Sequence, residues 1–178
     1  MTILAYTQIC ELIEQGVIKN TSYANVNGSS LDLVLGDEFM FEKKCGGTVI
    51  MDDKFYSPMI TAECPDCFYL APNEFILAHT VEEFDMPLDV SGEYMLKSTQ
   101  ARNGLEHLGA GWADPGWHGV LTLEFKNMLR HHTILMRPGM KCGQMKFFRH
   151  EPVALDNSYK ERGQYNGDKS VMAGKGIK

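Results

Sequence analysis

A chain of 178 residues, 44% hydrophobic and 22% charged, has the make-up of one globular domain with a real core, which excludes general disorder. Its net charge of -6 excludes a sequence-independent nucleic-acid binder, which needs a basic face, while a polyanionic small ligand needs only a few local cations. No apolar run approaches the roughly 18–20 residues of a membrane span, and Met1 to Gly16 contains Glu11 and Glu14 and lacks the cationic start of a signal peptide, so no membrane partner is expected.

Five cysteines, an odd number without framework spacing, point to a reducing cytoplasm. Between Thr2 and Gly16 the apolar residues Ala5, Ile9, Leu12 and Ile13 recur at helical spacing, which predicts a short amphipathic helix with Thr7 as a possible cap and Gly16 as its stop. Leu31, Leu33 and Leu35 then alternate with Asp32 and Val34, the pattern of a half-buried strand ended by Gly36-Asp37.

Further strands are predicted at Phe39–Glu42, Thr48–Met51, Phe68–Leu70, Phe75–Thr80, Gly92–Leu96, Gly119–Lys126, Thr133–Met136 and Gln144–Arg149. Turn residues such as Gly46-Gly47, Pro72-Asn73 and Pro115-Gly116 separate many of them. Many short strands with little helix imply an all-β sandwich or closed barrel. The expected division is a β domain over residues 1–156 and a lid or tail over 157–178, polar, rich in Gly and Lys, and ordered only against something else.

Chemistry concentrates in three segments. Lys97-Ser98-Thr99-Gln100-Ala101-Arg102 places two cations and two hydroxyls within six residues, donors that suit a phosphate chain and equally a solvated turn. Ala110-Gly111-Trp112-Ala113-Asp114-Pro115-Gly116-Trp117 combines a Pro-Gly turn with two tryptophans on which a flat ligand can stack, or which simply pack the turn. In Val120-Leu121-Thr122-Leu123-Glu124-Phe125-Lys126, alternation puts Thr122 and Glu124 on one strand face and Leu121, Leu123 and Phe125 on the other. A mid-strand glutamate either meets a cation across a solvated face or lines a pocket, where burial suits it to proton transfer.

Taken in order, these segments resemble the dCTP deaminase family. Lys97-Ser98-Thr99-x-Ala101-Arg102-x-Gly104-Leu105, Ala110-Gly111-Trp112-x-Asp114-Pro115-Gly116-Trp117-x-Gly119 and Leu121-Thr122-Leu123-Glu124-Phe125 match its central signature, with support from Asn27–Gly36, Pro72–Ala78 and Arg137–Gln144. The resemblance implies a mainly β, distorted β-barrel of the dUTPase type with a short N-terminal helix and a flexible C-terminal lid. It implies a homotrimer with sites between subunits, and deamination without a metal cofactor; Mg²⁺ is expected only with a bound triphosphate. The chain lacks the H-x-E…P-C-x-x-C signature of zinc deaminases.

Under this resemblance Glu124 is the general acid and base. Ser98 and the Ala110 backbone position the water, and Arg102 holds Glu124 or the phosphates. Lys97, Thr99, Gln100 and Ala101 complete the phosphate segment, and Lys97 stands where Arg is usual. Asp114 takes the 3′-hydroxyl, while Thr122 and Leu123 border the base. Gln144, Tyr159, Gln164 and Asp168 match nucleotide contacts, though Asp168 replaces a Gln and is expected to repel phosphate unless Lys169 or Mg²⁺ compensates. Ala110-Gly111 follows the pattern of members that also hydrolyse dUTP to dUMP. The other readings are a silent nucleotide-binding regulator, a deaminase that accepts dCMP, and a pure dUTPase. A structural zinc site at Cys64 and Cys67, with Cys45 nearby, lacks four clear ligands; His131-His132 point to opposite faces, His118 suits a surface turn, and the 11 methionines suit core filling.

Overall fold

A computed structural model describes residues 1–51 and 57–176. In chain order the strands and helices are β1 (Thr2–Ile3), α1 (Tyr6–Glu14), β2 (Ile18–Lys19), β3 (Leu31–Val34), β4 (Glu38–Glu42), β5 (Met59–Glu63), β6 (Phe68–Leu70) and β7 (Phe75–Asp85). They continue with β8 (Val90–Met95), α2 (Ser98–Arg102), β9 (Leu105–His107), β10 (Trp112–Ala113), β11 (His118–Asn127), β12 (Ile134–Met136), β13 (Lys141–Arg149) and α3 (Tyr159–Arg162).

Helix α1 turns Ile9, Cys10 and Leu12 into the core and ends before Gly16, whose φ of 73° suits glycine. Its N-cap is Ala5, not Thr7; the Gln8 side chain accepts the Ala5 N–H at 3.1 Å, the reciprocal half of a capping box without a hydroxyl cap.

One sheet runs β1-β13-β8-β10 with β3 also on β13, and the other runs β5-β4-β7-β11-β9 with β2 also on β7; β12 and β6 form a small ribbon. Inward-facing alternate residues of both sheets make one core, in which Phe39, Phe84, Phe125 and Phe147 are fully buried. Each such side chain contributes roughly 1.5–3 kcal/mol of transfer free energy.

The mainly β expectation holds, but the ladders do not close into a barrel. Among the described residues the two large sheets meet in backbone pairing at a corner, where Leu35 bridges Thr80 and the Gly36 N–H donates to His79 O at 2.8 Å. A Cβ on Gly36 would fall 2.2 Å from the His79 ring, so this crossing requires glycine.

Most predicted strands appear with ends shifted by a few residues, and β7 extends five residues further than expected, to Asp85. Thr48–Met51 is not a strand: it follows Gly46 and Gly47, both at positive φ, and leaves Val49, Ile50 and Met51 exposed. Met59–Glu63 pairs with β4 instead. No helix among the described residues is long and apolar enough to cross a membrane.

Candidate active site

Strand β11 pairs with β7 on one side and β9 on the other, and a register shift between Val120 and Thr122 bulges it. The bulge re-aims side chains locally, so Val120, Leu121, Thr122 and Glu124 all border one cleft of about 630 Å³. Leu123 and Phe125 remain fully buried in the core. Any contact from Leu123 to a ligand in the cleft therefore falls to its backbone.

Across β9, His107 lies opposite Phe125, is 4% exposed in its side chain, and stands with Nε2 3.2 Å from Glu124 Oε2. The Gly109 N–H donates to His107 Nδ1 at 3.2 Å, which assigns the proton of the neutral ring to Nε2, facing the carboxylate. The two atoms are close without hydrogen-bond alignment, and neither has another protein partner. Tyr94 packs its ring 4.5 Å from the imidazole and donates its hydroxyl to Cys142 O at 2.8 Å. Burial pushes the Tyr94 phenol up.

The Asp114-Pro115-Gly116-Trp117 turn closes through Trp117 N–H to Asp114 O at 3.1 Å, with Gly116 at φ 80°, the position that type II turns reserve for glycine. Asp114 accepts the Trp112 indole N–H at 3.2 Å and does not line the cleft; both tryptophans do.

The C-terminal segment folds onto its own chain. Asp168 bridges Gly119 in parallel, its carbonyl accepts the Val120 N–H at 2.9 Å, and Val171 is buried. The Met172 N–H donates to the Thr122 hydroxyl at 3.1 Å. Lys175 Nζ lies 3.0 and 3.2 Å from the two Asp168 carboxylate oxygens and 4.8 Å above the Tyr165 ring. The lysine paired with Asp168 is thus Lys175, not the adjacent Lys169 expected from sequence. Gln164 is engaged with Gly176 O, and the Tyr159 hydroxyl accepts the Tyr165 N–H at 3.3 Å.

Of the residues read from sequence, Ala110, Thr122, Glu124, Tyr159 and Asp168 line the cleft. Lys97, Ser98, Thr99, Gln100, Ala101, Arg102, Gln144 and Gln164 are not among its lining residues. Ser98, Thr99, Ala101 and Arg102 are exposed on or beside α2, and Lys97 is ion-paired with the buried Asp32. Gln144 accepts from Ser30 Oγ at 3.2 Å.

A family model for dCTP deaminase-like proteins matches residues 3–150. The chain belongs to that family. A relative from Nanoarchaeum equitans named "dCTP deaminase, dUMP-forming" is 34% identical over 88% of this chain and 87% of its own length. One of the same name from Methanopyrus kandleri is 33% identical over 94% and 92%. A 2'-deoxycytidine 5'-triphosphate deaminase structure from Agrobacterium tumefaciens shares the fold, with a TM-score of 0.68 at 20% identity over 83% of this chain. The match covers 48% of that longer chain.

Sequence reading missed His107, Lys141 and the own-chain docking of the tail. A histidine between Glu106 and Leu108 carries no local signal; only the β9–β11 register brings it to Glu124. All five cysteines are free thiols, and burial, then Cys67, pushes the Cys64 thiol up. Among the described residues no three His, Cys, Asp or Glu side chains converge as metal ligands.

Proposed function

We propose that the protein is a bifunctional enzyme that deaminates dCTP and hydrolyses the resulting dUTP to dUMP. One observation carries the catalytic part. Among the described residues two carboxylates line the cleft; Asp168 is bound to Lys175, whereas Glu124 faces the space with only a histidine N–H beside it. The dUMP-forming part rests on the names of the family relatives. Ala110-Gly111 adds less than its sequence suggests, because a Cβ on Gly111 would lie 2.7 Å from Tyr94 Cβ and packing alone demands glycine.

In the proposed reaction Glu124 takes a proton from water, which adds to C4 of cytosine. The carboxyl passes that proton to N3, and a second proton transfer releases ammonia and leaves dUTP. A second water then attacks the α-phosphorus and releases diphosphate, leaving dUMP. His107 holds Glu124 in place. Thr122 and the Leu123 backbone border the base, the Ala110 carbonyl and Ser98 place the water, and Asp114 takes the 3′-hydroxyl. Lys97, Thr99, Gln100, Ala101, Arg102, Gln144, Tyr159 and Gln164 serve the sugar and phosphates, with Mg²⁺ arriving on the triphosphate itself. The segment at α2 and the cleft share no lining residue, and a homotrimer with sites between subunits is the assembly that joins them.

Incubating the purified protein with dCTP, dCMP and dUTP and resolving the products tests the reading. dUMP, ammonia and diphosphate are expected from dCTP, and Glu124→Gln should lower deamination about 10²–10⁴-fold. Accumulation of dUTP alone restricts the enzyme to deamination. No reaction with dCTP refutes the proposal.

A further inference from the structure

Asp32 sits in β3 between Leu31 and Leu33, which are fully buried, and is itself 3% exposed. An unpaired carboxylate there would cost several kcal/mol, so its partners explain its presence. Oδ1 accepts Lys97 Nζ at 2.5 Å and Asn27 Nδ2 at 2.8 Å, and Oδ2 accepts Lys141 Nζ at 2.7 Å. Burial pushes the Asp32 carboxyl up, but hydrogen bonds from Lys141, Lys97 and Asn27 outweigh it and hold it below the ordinary range.

One buried carboxylate therefore holds two ammonium groups side by side, one on each oxygen. Neutralising Asp32 requires a single lysine, so the pair carries a surplus positive charge. Each ammonium has three donors and points one at Asp32. Both side chains reach solvent, at 32% for Lys97 and 49% for Lys141. The lysines come from different elements: Lys97 precedes α2 and Lys141 opens β13. Gln100 Nε2 ties those elements together by donating to Lys141 O at 2.6 Å. The exposed hydroxyls of Ser98 and Thr99 follow Lys97 directly.

We infer that Lys141 is a second phosphate-binding lysine, coupled to Lys97 through Asp32 as a two-pronged clamp for a polyphosphate chain. The surplus charge disfavours a metal cation. A lone carboxylate ligand would offer only what Asp32 already supplies. A polyphosphate carries anionic oxygens on successive phosphorus atoms and can reach both ammonium groups at once, each through a charge-assisted bond. The nucleotide as its carrier rests on the proposed function; the clamp's affinity for polyphosphate does not.

The test uses inorganic tripolyphosphate and orthophosphate titrated calorimetrically into the full chain and its Lys141→Gln variant. Asp32 keeps Lys97 and Asn27 in that variant. Tripolyphosphate affinity should fall ~3- to 10-fold, and orthophosphate affinity by less. In the unmodified protein, tripolyphosphate should protect Lys141 from acetic anhydride, read by peptide mass spectrometry; this arm stands even if the variant folds poorly. Unchanged tripolyphosphate affinity in a folded variant, or equal acetylation of Lys141 with and without tripolyphosphate, overturns the clamp. A clamp that passes both arms in a protein that leaves dCTP unchanged would refute the proposed function alone.

Discussion

His107 Nε2 stands 3.2 Å from Glu124 Oε2, and the Gly109 N–H on its other nitrogen keeps the ring proton on that side. The imidazole is also wedged between Tyr94 and Phe125. His107→Phe keeps an aromatic ring in that wedge and removes the N–H. It is expected to lower kcat about 10–100-fold, the scale of a mispositioned reacting group, with KM changed by less than about threefold. Steady-state deamination kinetics beside a melting curve provide the check. Full activity in His107→Phe would reduce the histidine to packing.

Glu82 is a fully buried carboxylate on β7 that takes no part in the cleft. Oε2 accepts the Val34 N–H at 2.9 Å and Oε1 is buried without a partner. Burial pushes its carboxyl from 4.5 up to about 7, only partly offset by the Val34 N–H. Because the folded value lies above the unfolded one, the folded state binds the extra proton. This stability is fully present below about pH 4.5 and is lost as pH rises through about 7. The loss is of order 3 kcal/mol. Glu82→Gln should flatten that decline, seen as a smaller fall in Tm between pH 5 and 8. An unaltered slope would assign the pH dependence to other groups.

Local alternation made the strand that carries Glu124 legible: Glu124 in mid-strand, with Leu123 and Phe125 turned inward, needs only period two. Relations between distant segments were not legible. Lys97 and Lys141 meet only at Asp32, 65 and 109 residues away in sequence. Apolar content misled at Thr48–Met51, because a strand also needs a neighbour to bond, and this run instead supplies Val49, Ile50 and Met51 to the cleft wall. The surface on which the tail docks was not legible for a related reason. Its polar composition suggests no core of its own, and backbone bonds to β11 with the buried Val171 anchor it.

The anchored tail alters what Asp168 is expected to do. Read from sequence, its charge repels phosphate, so Asp168→Gln should tighten triphosphate binding; if repulsion is its role, removing the neighbouring Lys175 cation should loosen it. In the structure the two groups form one ion pair, and the same segment occupies the Thr122 hydroxyl through Met172 N–H. The Thr122 O–H stays free to donate, but a base placed against that hydroxyl competes with the Met172 backbone for space, so the pair opposes binding by holding the segment down. Either substitution should then act in the same direction, raising amide exchange at Met172 and Val120 and tightening binding of a non-hydrolysable dCTP analogue ~3- to 5-fold, as befits a partly exposed ion pair. The double variant should add little to either single change, because both break one contact. Hydrogen exchange and analogue titration on the three variants at fixed Mg²⁺ measure this. Opposite effects of Asp168→Gln and Lys175→Gln on analogue affinity would restore phosphate repulsion as the role of Asp168 and reject the ion pair as a restraint on the tail.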